Sequence, residues 1–221
     1  MTFSIIARDL ETGQIGIGVA SRFFAVGAMV PYVRGQSAIA TQSYVNPMWG
    51  VEGIVRLQNG EEGKRVLKDF KKRDNKANWR QVHMLDMRGC FAAFTGNKCR
   101  DWCGHRISPD ASFAGNLLAG PGVLEAMEKI YLASHGLSFA ERLLAAMIAG
   151  DEAGGDKRGR QSAALVIHSQ QDYPWLSIRA DDHRDPLGEL GRLLTVAQEI
   201  YLPVMSDLAT TSNFSGGEPE G

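Results

Sequence analysis

Blocks of strand-like residues alternating with pairs of helices predict an α+β (α/β-type) fold. Two packed sheets carry helices on their outer faces, a four-layer α/β/β/α sandwich. Three observations carry that expectation. An apolar run, Phe3 to Ala7, is followed by turn chemistry at 9–13 and a second run, Ile15 to Arg22, which reads as a hairpin. The element order is then strands, two helices, strands, two helices, strands and one helix, whereas a doubly wound parallel sheet alternates single strands with single helices. No GxGxxG motif opens a helix after a strand, so a dinucleotide site has no support.

The elements follow in order. In the second strand, Gly16 and Gly18 alternate with Ile15, Ile17 and Val19, which suggests close packing over that strand. Ser37 to Ser43 reads as a strand, preceded by another around 28–34. Asn46-Pro47 starts a helix as N-cap and first helical residue, and Asn59-Gly60 stops it. Residues 61–72 form a second helix, with acids first and bases last, the order its dipole favours. Strands at 80–87 and 90–95 flank the Arg88-Gly89 turn. A loop is expected over 96–109, then a strand over 111–118. Gly120-Pro121-Gly122 leads into a helix over 123–134, and Ser138 with Glu141 forms a capping box for the next, which ends near Gly150. A charged, Gly-rich loop over 151–159 precedes strands at 161–168 and 175–180. Asp185-Pro186 starts a last helix that runs to about Tyr201. One domain is expected over 1–205, with a polar tail, 206–221, of the kind that is normally mobile.

Composition narrows the function classes. Of 221 residues, 44% are hydrophobic, enough for a substantial core, and the formal net charge is −1. No global field therefore recommends nucleic acid or an anionic membrane as partner. No apolar run approaches the ~20 residues that span a bilayer, and the N-terminus lacks the basic-then-apolar order of a signal peptide. Three cysteines, an odd number, argue against a disulfide framework and fit a cytoplasmic location.

Thr2 is the most informative residue. Removal of Met1 would leave a Thr carrying a hydroxyl and a free α-amine on one residue, a nucleophile with its own base. Such an amine titrates near pH ~8, so part of it is unprotonated at neutral pH. Other constellations have both functional and structural readings. Cys99, Cys103 and His105 do not have the spacing of a zinc site with two ligand pairs; no metal or cofactor is expected, and His105 reads as a pocket wall or a structural histidine. Asp156, Lys157, Arg158, Arg160, Gln161 and Ser162 form the richest polar cluster. It is either a solvated loop or a substrate contact in which Arg158 or Arg160 grips a carboxylate or phosphate. Asn116, or amides near Thr41-Gln42, is either a turn former or an oxyanion donor, one such donor being worth about 3 kcal/mol in a transition state. Asp181-Asp182-His183 precedes a helix start, and capping explains it. Trp49, Trp102 and Trp175 fall in or near predicted loops, and from them a homodimer or larger homo-oligomer is expected.

The order of elements, Thr2 on the first strand and Val19-Ala20-Ser21-Arg22 on the second resemble the N-terminal nucleophile (Ntn) hydrolases, including proteasome-type β subunits. Several longer motifs resemble, within that superfamily, the Ntn-like family called domain of unknown function 1028. They are Thr2-Phe3-Ser4-Ile5, residues 20–27 (ASRFFAVG), Ala40-Thr41-Gln42, Asn46-Pro47, residues 99–105 (CRDWCGH), 115–122 (GNLLAGPG), 154–164 (GGDKRGRQSAA) and 181–186 (DDHRDP). The resemblance covers nearly all of the chain up to about Leu194. It implies an Ntn-hydrolase-like sandwich with Thr2 as nucleophile, Ser21, Arg22, Gln42 and Asn116 around it, and the 156–162 segment orienting it. It implies hydrolysis of a small amide or related C–N bond in a small-molecule substrate. One departure is clear: where proteasome-type enzymes place an acid, this chain has Ala20. The alternative is a non-catalytic member of the fold that binds a ligand or assembles with partners.

Overall fold

The N-terminal hairpin lies at the centre of the larger of two sheets in a computed structural model, which describes residues 2–155 and 158–217. Strands β1 (Thr2–Arg8) and β2 (Gln14–Ser21) pair antiparallel from Thr2↔Ser21 to Arg8↔Ile15. Asp9 closes their turn by accepting from Glu11 N and Thr12 Oγ1, and Gly13 has a φ of 69°. The second sheet holds β3 (Pro31–Arg34), β4 (Ser37–Ser43), β5 (Arg80–Leu85) and β6 (Phe91–Thr95), in that order. The first is completed by β7 (Trp102–Ile107), β8 (Ala111–Leu118), β9 (Ser162–Ser169) and β10 (Pro174–Ala180), with strand order β10-β9-β2-β1-β8-β7. All ladders are antiparallel.

Six α-helices occur among the described residues: α1 (Pro47–Gln58), α2 (Gly63–Arg73), α3 (Gly122–Ala133), α4 (Phe139–Glu152), α5 (Pro186–Glu199) and the short α6 (Tyr201–Val204). Their starts follow capping chemistry. Asn46 accepts from Met48 N ahead of Pro47, Ser138 and Glu141 form both bonds of a capping box, and Asp185 accepts from Gly188 N.

Side-chain alternation then sorts the core into three apolar clusters. Phe3, Ile5, Phe113 and Leu165, from one face of the six-stranded sheet, pack with Met127 and Tyr131 of α3, Leu143 and Met147 of α4, and Leu190 of α5. On its other face, Ile6, Ile17 and Val19 meet Ala38, Ala40 and Leu85 of the second sheet. Ile39, Val82 and Met84 of that sheet also pack with Trp49 and Leu57 of α1 and Val66 and Phe70 of α2. The chain is thus a mixed α+β fold with two antiparallel sheets.

Four details differ from the sequence reading. The expected loop 96–109 contains β7, an edge strand paired only to β8, with a register shift between Trp102 and Gly104. Its His105, Arg106 and Ile107 are exposed, so no buried apolar alternation marks it as a strand. The strand placed around 28–34 begins at Pro31, after a 3-10 turn over Val26–Ala28. Trp49 is not near a loop surface: it is 2% exposed and stacks on Phe70 with ring centroids 5.4 Å apart. Part of the polar tail is tied down, because Tyr173 Oη donates to Ala209 O and Thr211 N to Gln171 Oε1. No helix among the described residues is long and apolar enough to cross a membrane.

Close packing of α1 on β3 gives a test with a definite sign. A Cβ on Gly50 would sit 2.1 Å from Tyr32 Cε2, a rigid ring atom, whereas a Cβ on Gly122 at the start of α3 meets nothing within 4 Å. Gly50→Ala is expected to destabilise by about 1–3 kcal/mol through overpacking, which outweighs the ~1 kcal/mol helix-propensity gain. Gly122→Ala is expected to be neutral or stabilising by up to about 1 kcal/mol. Denaturant midpoints of the two variants check both; a stabilised Gly50→Ala would refute the packing argument.

Candidate functional site

At one end of the gap between the sheets, polar side chains replace apolar ones. Cα register aligns Ser162 of β9 with Ser21 of β2, Ser21 with Thr2 of β1, and Thr2 with Asn116 of β8. These residues have the parity of Ala164, Val19 and Ile6, so the row lies on the face turned toward the second sheet. Thr2 Oγ1 and Ser21 Oγ are 3.2 Å apart, and Thr2 is only 7% exposed. Opposite stands a second row in register, Gln42 of β4, Gln81 of β5 and Thr95 of β6. Asn116 Nδ2 joins the rows by donating to Gln81 Oε1 at 2.9 Å.

Gln81 is the hub. Its Oε1 also accepts from Gln42 Nε2 at 2.8 Å. Its Nε2 has two hydrogens for three acceptors: Gly115 O at 2.8 Å, Thr95 Oγ1 at 2.9 Å and Gly104 O at 3.0 Å. One hydrogen is therefore shared. Behind Gln42 the network continues inward. Ser4 Oγ donates its only hydrogen to Gln42 Oε1 at 2.7 Å, so its 2.9 Å contact with His83 Nε2 must be one it accepts. His83 then carries its proton on Nε2, and Nδ1 accepts from Ser112 Oγ at 3.0 Å. A neutral ring suits the site. Burial, reinforced by repulsion from His105, lowers the His83 pKa to about 3.

Beside this network opens a cleft of about 570 Å³ with Asn116 and Leu117 at its base. Ser43 at the end of β4 with Tyr44 after it, Lys76 and Trp79 before β5, and Lys98 and Arg100 between β6 and β7 form its walls. Backbone bonds stitch the three wall segments together: Tyr44 N to Trp79 O, Lys98 N to Asn78 O, and Leu117 N to Arg100 O. Gly96 permits this closeness, because a Cβ there would lie 2.3 Å from Asn78 O. A buried ion pair fixes the Tyr44 wall. Arg80 Nε meets Asp74 Oδ2 at 2.9 Å, its guanidinium donates to Tyr44 O, and it lies 4.9 Å over the Tyr44 ring. Burial pushes the Asp74 pKa up, but hydrogen bonds from Arg80, Asn46 and Lys76 N outweigh it, leaving the carboxyl below its ordinary value. Ser43 and Leu117 hold left-handed φ values of 71° and 58°, backbone strain of the kind that collects at binding sites.

The sequence-derived candidates fall into distinct places. Thr2, Ser21, Asn116 and Ser162 share the register row. Ser162 is committed to the chain beyond β2, donating to Phe23 O and accepting from Val26 N. Gln42 is fully buried in the opposite row and reaches Asn116 only through Gln81. Arg22, Arg158 and Arg160 cluster outside Ser21: Arg22 donates to Arg160 O, and Arg158 to Arg22 O. Arg160 also pairs with Asp151 and, at 3.6 Å, with Asp185. Gln161 Nε2 is bound to Asp182 Oδ1. His105, on the edge strand, contacts Thr95 Oγ1 at 2.9 Å and joins the site through Gln81. Asp156 lies outside the described residues. Among the described residues no group of three His, Cys, Asp or Glu side chains could hold a metal ion. Ala20 points away from this row, into the helix-covered core at 1% exposure, so a carboxylate there would be an unpaired buried charge.

Sequence reasoning missed Gln81, His83, Ser4 and Ser112, as well as the cleft residues Tyr44, Lys76, Trp79, Lys98 and Arg100. Alternation of Gln81 and His83 in a strand signals a solvated face; only the facing polar row reveals that it is buried.

Two outcomes follow from the network. Gln81→Leu strips acceptors from two buried amides and is expected to cost about 3 kcal/mol or more, measured as a lowered denaturant midpoint. Folded His83 titrates near 3 and an unfolded His near 6.5, so the unfolded state alone takes up this proton between those values. That contribution to stability is intact above pH 6.5 and is lost as pH falls toward 3, by about 2 kcal/mol between pH 7 and pH 5. His83→Gln should flatten the acid limb of the stability curve. Equal slopes for variant and wild type would show that His83 is not held neutral.

No curated protein matches the chain. Among solved structures, the crystal structure of protein SPO2555 from Silicibacter pomeroyi, described under the family model DUF1028, is similar with a TM-score of 0.90 and 31% sequence identity. That similarity covers 100% of this chain and 96% of the other. The model of DUF1028, a family of unknown function, matches residues 2–190, from the first residue of the Thr2 row to the end of the first turns of α5. The chain belongs to the DUF1028 family.

Proposed function

We propose that this protein is an N-terminal nucleophile amidohydrolase that acts on a small amide or related C–N bond, with Thr2 as nucleophile once Met1 is removed. The proposal includes the Ntn form of the fold. The three apolar clusters support a four-layer reading, in which α3, α4 and α5 cover one sheet and α1 and α2 cover the other. The observation that carries the chemical reading is the position of Thr2. Its hydroxyl lies at the end of a central strand, 3.2 Å from Ser21 Oγ, and the residue is in register with Asn116, which lines the cleft.

In the proposed reaction, Thr2 Oγ attacks the substrate carbonyl and the α-amine takes the hydroxyl proton. The oxyanion is held by Asn116 Nδ2, whose one hydrogen-bond partner among the described residues is Gln81, leaving its second hydrogen for the substrate. Collapse breaks the C–N bond, and the leaving nitrogen receives the proton from the amine. Water then attacks the Thr2 ester, gives a proton to the amine and releases the acid; that proton returns to Thr2 Oγ. Ser21 positions the nucleophile. Self-association and cytoplasmic residence remain expectations from the sequence alone.

One observation favours a second reading, a non-catalytic ligand-binding or assembly protein. Ala20 stands where proteasome-type enzymes have an acid, and it faces the apolar core. The mass of protein isolated from its native host separates the two readings: loss of one Met residue supports the hydrolase, and full retention supports the second. On processed protein, Thr2→Ala should lose at least about 10³-fold in amide hydrolysis while Thr2→Ser retains part of it. Thr2 is buried between β2 and β8, so Thr2→Ala should also cost about 1 kcal/mol of stability, a small part of the total. Undiminished turnover by Thr2→Ala would remove Thr2 as the nucleophile.

A further inference from the structure

We propose that the cleft beside Asn116 is an anion subsite, built to hold a small molecule through a carboxylate or phosphate group. Three cations converge on it. Lys76, Lys98 and Arg100 line the cleft, and none of them makes an ion pair among the described residues. This contrasts with Arg56, Arg73, Arg80, Arg88 and Arg106, each held by a carboxylate. The two lysines are poised over aromatic faces. Lys98 Nζ lies 5.6 Å from the Trp79 ring centroid and Lys76 Nζ 5.8 Å from that of Tyr44. Such contacts restrain a cation without neutralising it. The nearby carboxylates do not cancel the field. Asp74 is committed to Arg80 and Asn46, and Asp101 follows Arg100 but does not line the cleft.

Shape and polarity agree. A volume of about 570 Å³ suits a small metabolite. Tyr44 and Trp79 offer flat apolar walls for its carbon frame, Lys98 and Arg100 its charge, and Asn116 a neutral donor at the base. Because Asn116 is the register partner of Thr2, an anion held here places the rest of the molecule toward the hydroxyl row. Only this last step rests on the hydrolase reading: given it, the substrate is an acidic amide, gripped by its charge while its C–N bond reaches Thr2.

The test is ligand binding, read without catalysis. Inorganic phosphate, glutarate and the uncharged glutaramide are titrated separately into the full chain, following the Trp79 indole N–H by NMR. At least one of the two anions is expected to shift that signal saturably while glutaramide does not, and the affinity should fall as salt is raised. Phosphate against glutarate shows which anion the site prefers. Lys98→Gln combined with Arg100→Gln should weaken binding by at least about tenfold, and Thr2→Ala should leave it unchanged. Failure of both anions to bind, equal binding of glutaramide, or anion affinity insensitive to both salt and the double variant would overturn the proposal. The salt series needs no variant, so a misfolded double variant does not obscure the answer. If the anions bind but Thr2→Ala still hydrolyses a substrate, the hydrolase reading fails and the anion subsite stands.

Discussion

One buried amide, Gln81, sets the spacing of the two sheets at their functional end. Elsewhere the sheets meet through Ile6, Ile17, Val19, Ala38 and Ala40, contacts that tolerate small shifts because dispersion has no direction. At Gln81 they meet through hydrogen bonds that do have direction. The side chain reaches from β5 across the gap to Gly115 O and Asn116 Nδ2 on β8, and sideways to Gln42 and Thr95 in its own sheet. A slip of one residue in any of these strands would turn its polar residue away and leave the others buried without partners, each at a cost of about 1–3 kcal/mol. Strand register and site geometry are therefore one constraint.

The hydrogen bonds also have a common sense. Donation runs from Ser112 to His83, to Ser4, to Gln42, to Gln81 and on to Thr95. Dipoles aligned in this way reinforce one another in a medium of low dielectric. A protonated His83 would break the sequence, because Nδ1 could no longer accept from Ser112. The depressed pKa and the network are two views of one arrangement, and acid should loosen the sheets at this end first. The charges that remain lie outside: Lys76, Lys98 and Arg100 in the cleft and Arg22, Arg158 and Arg160 beyond Ser21.

Much of the fold was legible in the chain because its signals are local. The hairpin from Phe3 to Ser21, the Asn46-Pro47 cap and the Ser138–Glu141 capping box each need only neighbouring residues to be recognised. Strand β7 was not, because an edge strand with exposed His105, Arg106 and Ile107 has no buried face to impose a pattern. Trp49 was misjudged for a related reason: α1 buries it against Phe70 of the following helix, a contact between elements. At the site, Thr2, Ser21 and Asn116 were named from chemistry and resemblance, and the ladders put them in one row. Gln81 and His83 were invisible, since a polar residue that faces water and one that faces a polar partner have the same alternation. The cleft cations come from three separate loops, and only the folded chain brings them together.

The neutral interior bears on the Ala20 departure. If Thr2 carries a free α-amine, the register partners of that residue on β2 and β8, Ser21 and Asn116, are both neutral. An acid at position 20 would not assist, because that side chain points through the sheet into the core of Phe3, Met147 and Leu165. Under the proposed hydrolase reading, the role of a supporting charge would pass to oriented neutral dipoles, Ser21 beside the hydroxyl and Asn116, held by Gln81, at the carbonyl. Such dipoles stabilise charge that develops during reaction without requiring a buried ion in the resting state.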